Sequence, residues 1–338
     1  MSDLHSPNDL IPSLDSQGER IFQLAELSYS RLDEFDRNRT AVIFAVSPLE
    51  EHGTHLPVGT DLLEAEFFSR ELAKRITDRM PGWSVLIGPS LPLGASVFER
   101  AGTLRVRVRT LRRAAQDYGA ALARHGFKYI LLMNAHAGPR HVLALEQASA
   151  AVASRYGVRM VSLSGPVLWR FLRGKYTRRL ENLIGRNLTL DEREAMRGDA
   201  HAGLWETSLL LRARPELVNG EYRSLAPQRF PLISAVIPNY PLWLGNRKGY
   251  IGSPAAANAS WGEAARQLLL DAAWEFVAPA LDAQNENWRP RSLFSRLAQA
   301  KKALPYALGA GMVAAGIAGV GALGLGTLLW GISRWRRS

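Results

Sequence analysis

Short apolar runs alternate with longer stretches of helical periodicity between residues 24 and 280 of the chain. Runs of about four to eight apolar residues bounded by polar turns are typical of buried strands, and apolar spacing at i, i+3 and i+4 is typical of helices. Four runs are predicted as strands: Thr40–Ser47, Ser84–Pro89, Tyr129–Met133 and Arg159–Leu163. The helices predicted around them cover residues 24–36, 62–79, 111–125, 141–156, 208–212 and 261–278. This alternation predicts a three-layer α/β/α domain with a mainly parallel sheet.

The C-terminal part of the chain has a different pattern. From Ala303 to Ile332 there is no charged residue, and basic residues flank this run on both sides. As a helix, the run would extend about 45 Å, which exceeds the hydrocarbon thickness of about 30 Å. We therefore predict a transmembrane helix over residues 303–332, with a glycine-rich interfacial hairpin as the alternative. Composition sets the other boundaries: a disordered N-terminal arm at 1–20, a folded domain at 21–283, a basic juxtamembrane linker at 284–302 and a basic tail at 333–338.

The charge distribution also points to a membrane. The formal net charge is +11, and the basic residues concentrate at Arg170–Arg186 and around the C-terminal apolar run. They are not interleaved with aromatic residues as in nucleic-acid-binding modules, so no nucleic-acid partner is expected. The excess of basic residues before the predicted span favours a folded domain on the cytoplasmic side of the inner membrane. The basic segment 167–198 is either a solvated helical insertion or a surface that meets lipid headgroups.

The candidate chemistry lies directly after the first predicted strand, in the segment 46–61. Glu50 and His52 are two residues apart, and such side chains point to the same side of an extended segment. Pro57 and Gly59 then turn the chain, so Asp61 can return to the same place and also cap the following helix. Carboxylates and an imidazole that converge on one point are ligands for a divalent ion such as zinc or manganese. The alternative is a polar strand end whose acids and histidines are solvated.

Three ordered blocks of sequence resemble the creatininase (creatinine amidohydrolase) family. They are Glu-x-His-Gly-x-His-Leu-Pro-x-x-Thr-Asp from Glu50 to Asp61, Met133-Asn134-Ala135-His136-Ala137-Gly138, and His201-Ala202-Gly203-Leu204-Trp205-Glu206-Thr207-Ser208. Three blocks in the same order are more specific than one motif. The resemblance covers residues 39–280 and implies the family's α/β/α fold and its assembly into homo-oligomers.

The resemblance implies a centre that holds two divalent metal ions, with zinc as the first choice and manganese or iron as alternatives. The implied metal ligands are Glu50, His52, Asp61, His136 and Glu206. Asp61 would bridge the two ions, and Glu206 would complete the shell of the second ion. His201 would lie over the ions as a proton donor or oxyanion partner, so His201 and Glu206 are the implied catalytic residues. His55, His125 and His141 are expected to be ordinary surface or core histidines, with support of a metal ligand as the alternative for His55.

Two loops depart from the family's pattern. Creatininase supplies a ligand glutamate at the position of Gly138, and Glu206 is expected to substitute for it. Pro139 stands where relatives often have an asparagine, and Phe98 lies in a loop where relatives often have a histidine. We expect these changes to affect substrate positioning more than metal binding.

The activity that the resemblance implies is that of a membrane-anchored amidohydrolase. It would cleave a C–N amide bond of a small molecule: a cyclic amide, a formamide or a short peptide. Three carboxylates and a bridging hydroxide would balance the charge of two divalent ions, which suits an uncharged amide. The hydroxide would attack the carbonyl, and His201 would protonate the leaving nitrogen. The alternative is a membrane-anchored metal-binding or scaffold protein without turnover. Cysteine is absent, which excludes a thiolate nucleophile.

Overall fold

A five-stranded parallel sheet forms the centre of the computed structural model, which describes residues 20–172, 174–229, 248–285 and 288. The strands are β1 (Ile21–Gln23), β2 (Thr40–Ala45), β3 (Ser84–Ile87), β4 (Tyr129–Met133) and β5 (Arg159–Ser162), in the order β1-β3-β2-β4-β5. Each neighbouring pair is parallel, and Val42 of β2 lies opposite Leu86 of β3 and Ile130 of β4. The carboxyl ends of β2 and β4 are therefore adjacent, which places the loops that follow them side by side.

Helices cover both faces of this sheet. The α-helices of the described residues are α1 (Tyr29–Asp33), α2 (Thr60–Arg79), α3 (Val108–Arg124), α4 (Pro139–Tyr156), α5 (Ser164–Leu172), α6 (Thr177–Ile184), α7 (Leu190–Arg197), α8 (Leu204–Ala213) and α9 (Ala259–Leu281). Residues of α2, α8 and α9 share one core cluster with the sheet, and residues of α3 and α4 share another. The predicted α/β fold with a parallel sheet is confirmed.

Strand β2 is buried along its whole length and supplies side chains to both halves of the core. Ile43 packs in one cluster with Leu72 of α2, and Phe44 packs in the other cluster with Leu111 of α3. Successive side chains of a strand point to opposite faces, so a strand between two helical layers is apolar at nearly every position. This explains the continuous apolar run that the sequence shows at this strand.

The N-terminal part of the domain differs from the prediction. The single helix predicted over residues 24–36 is wrong: a short 3-10 turn covers Leu24–Glu26, and α1 covers only Tyr29–Asp33. Before them, Ile21–Gln23 form the edge strand β1. Phe22 and Phe35 pack edge-to-face with ring centroids 5.2 Å apart. The apolar residues Leu24, Leu27, Leu32 and Phe35 therefore share one core cluster with Phe22 of β1 without forming a single helix.

The predicted transmembrane helix at 303–332 lies outside the described residues, as do the arm up to residue 19, most of the linker and the tail. Within the ranges that the structure describes, no helix is both long enough and apolar enough to cross a membrane.

The described part of the basic segment 167–198 is largely helical, and several of its arginines pair with acidic side chains. Arg170 pairs with Glu275 of α9, and Arg179 Nη1 lies 2.6 Å from Glu275 Oε1. Arg186 Nη2 lies 2.6 Å from Glu192 Oε1. Partly exposed ion pairs contribute about 0–1 kcal/mol each. The two pairs with Glu275 therefore orient this segment against α9 more than they stabilise the fold.

Helices α8 and α9 approach each other closely at a glycine. A Cβ atom on Gly262 of α9 would lie 2.0 Å from the carbonyl oxygen of Ser208 in α8. We expect Gly262→Ala to lower the free energy of unfolding by about 1–3 kcal/mol, the usual effect of overpacking, as measured by urea denaturation. Gly220→Ala is the control, because its Cβ would meet the flexible end of Arg223 at 3.3 Å. Equal stability of the two variants would contradict the close approach.

Candidate metal centre

Side-chain hydrogen bonds tie together the loops that follow β2 and β4. Ser47 Oγ donates to Asn134 Oδ1 at 2.9 Å and accepts the N–H of Ala135 at 3.1 Å. Asn134 Nδ2 donates to the carbonyl oxygen of His136 at 2.7 Å. Ser47 and Asn134 are both buried, so water does not compete for these bonds. The network fixes His136 relative to the loop that carries Glu50.

The first group of site residues joins the β2 loop, helix α2 and the β4 loop. Its members are Glu50, Asp61 and His136, and their ligand atoms all lie within 4.8 Å of one another. His136 Nδ1 lies 3.0 Å from Glu50 Oε2 and 3.2 Å from Asp61 Oδ2. The backbone N–H of Phe98 donates to the other oxygen of Glu50, Oε1. This bond leaves Oε2 facing the group.

The second group adds residues from the third sequence block. Its members are His52, His201 and Glu206, again with ligand atoms within 4.8 Å of one another. His52 Nε2 lies 3.5 Å from Glu206 Oε2, and the ring centroids of His52 and His201 are 4.3 Å apart. Glu206 lies in the first turn of α8, where its Oε2 accepts the N–H of Ala202. The structure thus brings together all six residues that the sequence singled out, in two groups.

Asp61 faces both groups, with one oxygen toward each. Its Oδ2 lies 3.2 Å from His136 Nδ1, and its Oδ1 lies 3.6 Å from His52 Nε2. The expectation that Asp61 caps α2 is wrong, because the helix begins at Thr60, Gly59 occupies the N-cap position and Asp61 lies inside the first turn. Neither oxygen of Asp61 has a hydrogen-bond partner among the described residues. The carboxylate is therefore placed to bridge two cations.

Other buried atoms of the two groups share this lack of hydrogen-bond partners in the described part of the chain. Together with the oxygens of Asp61, they include Glu50 Oε2 and His52 Nε2. A buried polar atom without a partner is unfavourable, and a buried charge is more so. Divalent cations would satisfy all of these atoms, and mixed imidazole and carboxylate donors suit zinc, manganese or iron. The residues therefore fit divalent metal ions.

The pKa values of the site reflect a crowded anionic environment. Burial opposes the charged form of His52, yet Asp61 and Glu206 outweigh it and raise the pKa of His52 to about 10. Burial also opposes the charged form of His136, and Glu50 and Asp61 raise its pKa well above the ordinary value. Burial raises the pKa of Glu206 to about 7. The pocket thus favours positive charge, whether from protons or from metal cations.

Glu64 is a buried acid of the site that the sequence analysis missed. It lies in α2 one turn after Asp61, is 3% exposed, and its Oε1 has no hydrogen-bond partner in the described ranges. Burial raises its pKa well above the ordinary value, and the charges of Glu206 and Asp61 raise it further. A glutamate within a long helix resembles a surface residue. The available signal was its spacing of three from Asp61, which puts both residues on one face of the helix.

Asp199 is a second residue that the sequence analysis missed. Its carboxylate accepts the N–H groups of Leu204 at 2.7 Å and Trp205 at 2.9 Å. Burial raises the pKa of Asp199 to about 7, while these N–H groups lower it. Asp199 therefore holds the first turn of α8, which carries Glu206. Its position a few residues before an apolar helix was the available signal.

His141 is a further histidine that is buried next to the site. His141 Nε2 lies 3.2 Å from the carbonyl oxygen of Val46, and its Nδ1 accepts the N–H of Ala95 at 3.4 Å. Its ring packs edge-to-face against His136 with centroids 5.1 Å apart. Both nitrogens of His141 are thus occupied by backbone groups. His141 is a core residue that positions the first group.

Gly138 lies directly against His136. A Cβ atom at this position would lie 2.2 Å from His136 Nε2 and 2.7 Å from the carbonyl oxygen of Ser96. These two atoms are themselves 3.2 Å apart and form a hydrogen bond. The local backbone therefore has no room for a side chain at 138. Because Glu206 lies in the second group, the first group has only Glu50, Asp61 and His136 as ligands among the described residues.

Two carboxylate–imidazole groups joined by one aspartate thus lie beside the loops that follow β2 and β4, and such donors fit paired divalent ions. A comparison with known sequences identifies the family. The sequence model of the creatininase family, described as creatinine amidohydrolase, matches residues 25–277 of the chain. The chain therefore belongs to the creatininase family of hydrolases.

Individual relatives are distant. The "Mycofactocin precursor peptide peptidase" of Mycobacterium ulcerans is 29% identical over 209 residues, which is 60% of this chain and 70% of that protein. The structure of a creatininase mutant complexed with creatine superposes with a TM-score of 0.56 at 22% identity and covers 78% of this chain and 100% of that one. The structure "Creatininase Mn" superposes with a TM-score of 0.55 at 23% identity and covers 80% of this chain and 100% of that one. At 22% and 23% identity, the similarity to these two structures supports the fold alone.

Because the two oxygens of Asp61 face the two groups, we expect the binding of both ions to depend on this residue. We expect Asp61→Ala to lose both metal ions, because each group loses the oxygen that faces it, while the unaltered protein retains divalent ions after dialysis. Elemental analysis by mass spectrometry measures the metal content. Asp78→Ala, an exposed position on the same helix, is the matched control and should keep its metal. Full metal content in Asp61→Ala would show that the carboxylate does not bridge.

Proposed function

We propose that this protein is a two-metal amidohydrolase that cleaves a C–N amide bond of a small molecule or a short peptide. The observation that carries the proposal is the position of Asp61, whose two oxygens face two separate carboxylate–imidazole groups. Paired divalent ions lower the pKa of bound water and polarise a carbonyl group, which is the chemistry that amide hydrolysis requires. Zinc is the proposed occupant, because imidazole and carboxylate together are common zinc ligands.

The side chains of the chain itself would hold, orient and shield this centre. Glu50, His52 and Asp61 are completely buried, so they are closed off from solvent. Glu206 is less enclosed, with 17% of its side chain exposed. A substrate would therefore approach from the side of Glu206. Phe98 stands beside the centre, with its ring 4.5 Å from that of His201, and would provide an apolar contact for the substrate.

The substrate class that we propose is an uncharged amide. The family description points to a cyclic amide, and the name of the Mycobacterium relative points to a peptide bond. Phe98 occupies the loop in which relatives often have a histidine, so we expect substrate contacts that differ from those of creatinine-cleaving relatives. A cyclic amide, a formamide and a short peptide therefore all belong in the first panel of substrates.

The test is hydrolysis by the purified full chain loaded with Zn²⁺ or Mn²⁺, followed by mass spectrometry of the products. The panel contains creatinine, N-formyl amino acids and short peptides. We expect turnover of at least one class and a decrease in kcat/KM of about 100-fold or more in Glu206→Gln, the size of effect found when groups around a metal are changed. Glu66→Gln, on helix α2, is the matched control and should retain activity.

Two outcomes would contradict this proposal. If the protein binds its ions but hydrolyses no member of the panel, a metal-binding or scaffold role is favoured instead. If Glu206→Gln and Glu66→Gln have equal activity, Glu206 is not part of the reacting centre.

We further propose that the chain is anchored to the cytoplasmic membrane by residues 303–332 and forms homo-oligomers through its folded domain. The apolar run and its basic flanks support the anchor. We expect the full chain to sediment with membranes and to resist a carbonate wash, whereas a chain that ends at Asn285 should be soluble and oligomeric by light scattering. A full chain that is entirely soluble would contradict the anchor, and a monomeric truncated chain would contradict assembly through the domain.

A further inference from the structure

The start of helix α3 and the loop before it carry a concentration of arginines. Six arginines occur between Arg100 and Arg113, all of them exposed, and the first turn of α3 has no acidic residue. Arg105 pairs with Glu99 at 2.5 Å. Four others form no ion pair among the described residues, and we call them the arginine surface: Arg107, Arg109, Arg112 and Arg113.

The charge of this surface is unmatched, unlike that of the basic segment 167–198, whose arginines pair with Glu275 and Glu192. Arg109 and Arg113 are four residues apart on α3, and like charges at this spacing repel each other. Cations in the first turn of a helix are also unfavourable, because the helix N-terminus carries a partial positive charge. Helix stability therefore does not explain these arginines, and such departures from local rules are expected where a surface has a function.

The loop before α3 joins the arginine surface to the metal centre. The N–H of Phe98 donates to the carboxylate of Glu50, and the N–H of Leu104 donates to the carbonyl oxygen of Leu49 at 3.0 Å. Three residues of chain extend at most about 11 Å, so the Cα atom of Arg107 lies within about 20 Å of that of Glu50. A peptide at about 3.3 Å per residue covers this distance in about six residues. A peptide whose amide lies at the centre therefore reaches the arginine surface.

The chemistry of the surface suits carboxylates. A guanidinium group presents a planar fork of N–H donors that matches the two oxygens of a carboxylate. Arg109, Arg112 and Arg113 are spaced by three and four residues and share the exposed face of α3, whereas Leu111 is buried. Arg112 Nη1 donates to Gln147 Oε1 at 3.3 Å, and this neutral partner leaves the charge of Arg112 uncompensated. Several carboxylates of one extended ligand would compensate these charges together.

We propose that the substrate is a peptide with acidic side chains up to about six residues from the cleaved amide, and that the arginine surface binds these side chains. The inference rests on the proposed amide hydrolysis and names the substrate class of that site. The amide at the centre stays uncharged, and the acidic groups lie outside the buried carboxylate cluster. The arginine surface thus selects acidic peptides without adding negative charge to the centre.

Anionic lipid is the other partner that suits such arginines, and the position of α9 favours the peptide. Arg159, the first residue of β5, donates to the carbonyl oxygens of Ala280 at 3.0 Å and Asn285 at 2.8 Å. The end of α9 therefore lies at the amino end of the strands, whereas the loop before α3 lies at the carboxyl end, next to Glu50. The proposed anchor follows α9 in the chain, so the chain continues toward it from the end of the sheet opposite to the arginine surface.

The first test is the binding of two synthetic decapeptides to the full chain in nanodiscs of phosphatidylcholine, measured by fluorescence anisotropy. One peptide has a row of glutamates, and the other has glutamines at the same positions. We expect Arg109→Gln/Arg113→Gln to bind the glutamate peptide about 10-fold more weakly, the effect of two exposed ion pairs. Arg70→Gln/Lys74→Gln removes two exposed charges at the same spacing from α2. This matched control should bind the glutamate peptide as the unaltered protein does.

The second test is hydrolysis of the same peptides by the full chain loaded with Zn²⁺. We expect Arg109→Gln/Arg113→Gln to raise KM for the glutamate peptide about 10-fold relative to the control variant, with kcat unchanged. The arginine surface contacts a part of the substrate that does not react, so its loss weakens binding of the substrate and of the transition state equally. Higher salt should raise KM for the glutamate peptide in the unaltered protein, because the surface charges are screened.

Each outcome supports or overturns the inference. Equal affinity of the glutamate peptide for the two double variants, or equal affinity of the two peptides for the unaltered protein, would overturn it, while hydrolysis of any other amide would leave the proposed function standing. Unchanged peptide binding in Arg109→Gln/Arg113→Gln, with weaker adhesion of its nanodiscs to phosphatidylglycerol vesicles, would overturn it in favour of lipid. Selective binding of the glutamate peptide without hydrolysis of any amide would support the arginine surface and overturn the proposed function.

Discussion

The structure depends on a cluster of carboxylates that is buried without enough positive charge of its own. Glu50 and Asp61 are fully buried, and their inward oxygens have no hydrogen-bond partner among the described residues. Burying an unpaired ion has an effective free-energy cost of several kcal/mol. In the absence of a metal, protonation of His52 and His136 offsets part of this cost, as their raised pKa values show. Divalent cations would offset more of it, so bound metal would stabilise the folded domain.

The scaffold holds the cluster together by fixing backbone groups around it. Ser47 and Asn134 join the loops after β2 and β4, and Asp199 holds the start of α8. Ala202 adopts a positive φ of 47°, a conformation that costs a non-glycine residue about 1–3 kcal/mol. Its N–H donates to Glu206 in this conformation. Backbone strain is therefore located where it directs the carboxylate of the second group.

Sequence periodicity predicted the sheet well because a parallel strand between two helical layers is apolar on both faces. The strand predicted at Tyr129–Met133 has the same ends in the structure. The strand predicted at Thr40–Ser47 begins as predicted but already ends at Ala45. The short edge strand β1 was missed because three residues carry too little periodic signal. A strand of this length is recognised only through its pairing with β3, which is a contact that sequence spacing does not encode.

At the candidate site, too, sequence spacing does not show which distant side chains contact one another. The blocks around Glu50, His136 and Glu206 were found because their residue types are distinctive in a short segment. Glu64 was missed because a helical glutamate is ordinarily solvated, whereas here it is buried near the charges of Glu206 and Asp61. The role of His201 was likewise taken from resemblance, since the carbonyl of Glu51 that orients its ring lies 150 residues away in the sequence. Tertiary contacts thus decide what each of these side chains does.

The direction of the helices adds a last constraint on the chemistry. Helix α2 begins at Thr60, α4 at Pro139 and α8 at Leu204, each within a few residues of a site residue. A helix N-terminus carries a partial positive charge of about half an elementary charge, which stabilises nearby anions. Burial favours the neutral form of Glu206, whereas its place in the first turn of α8 favours the ionised form. A cation held beside Glu206 would shift this balance toward the carboxylate, and the same helix ends would favour negative charge on the carbonyl oxygen of a bound amide.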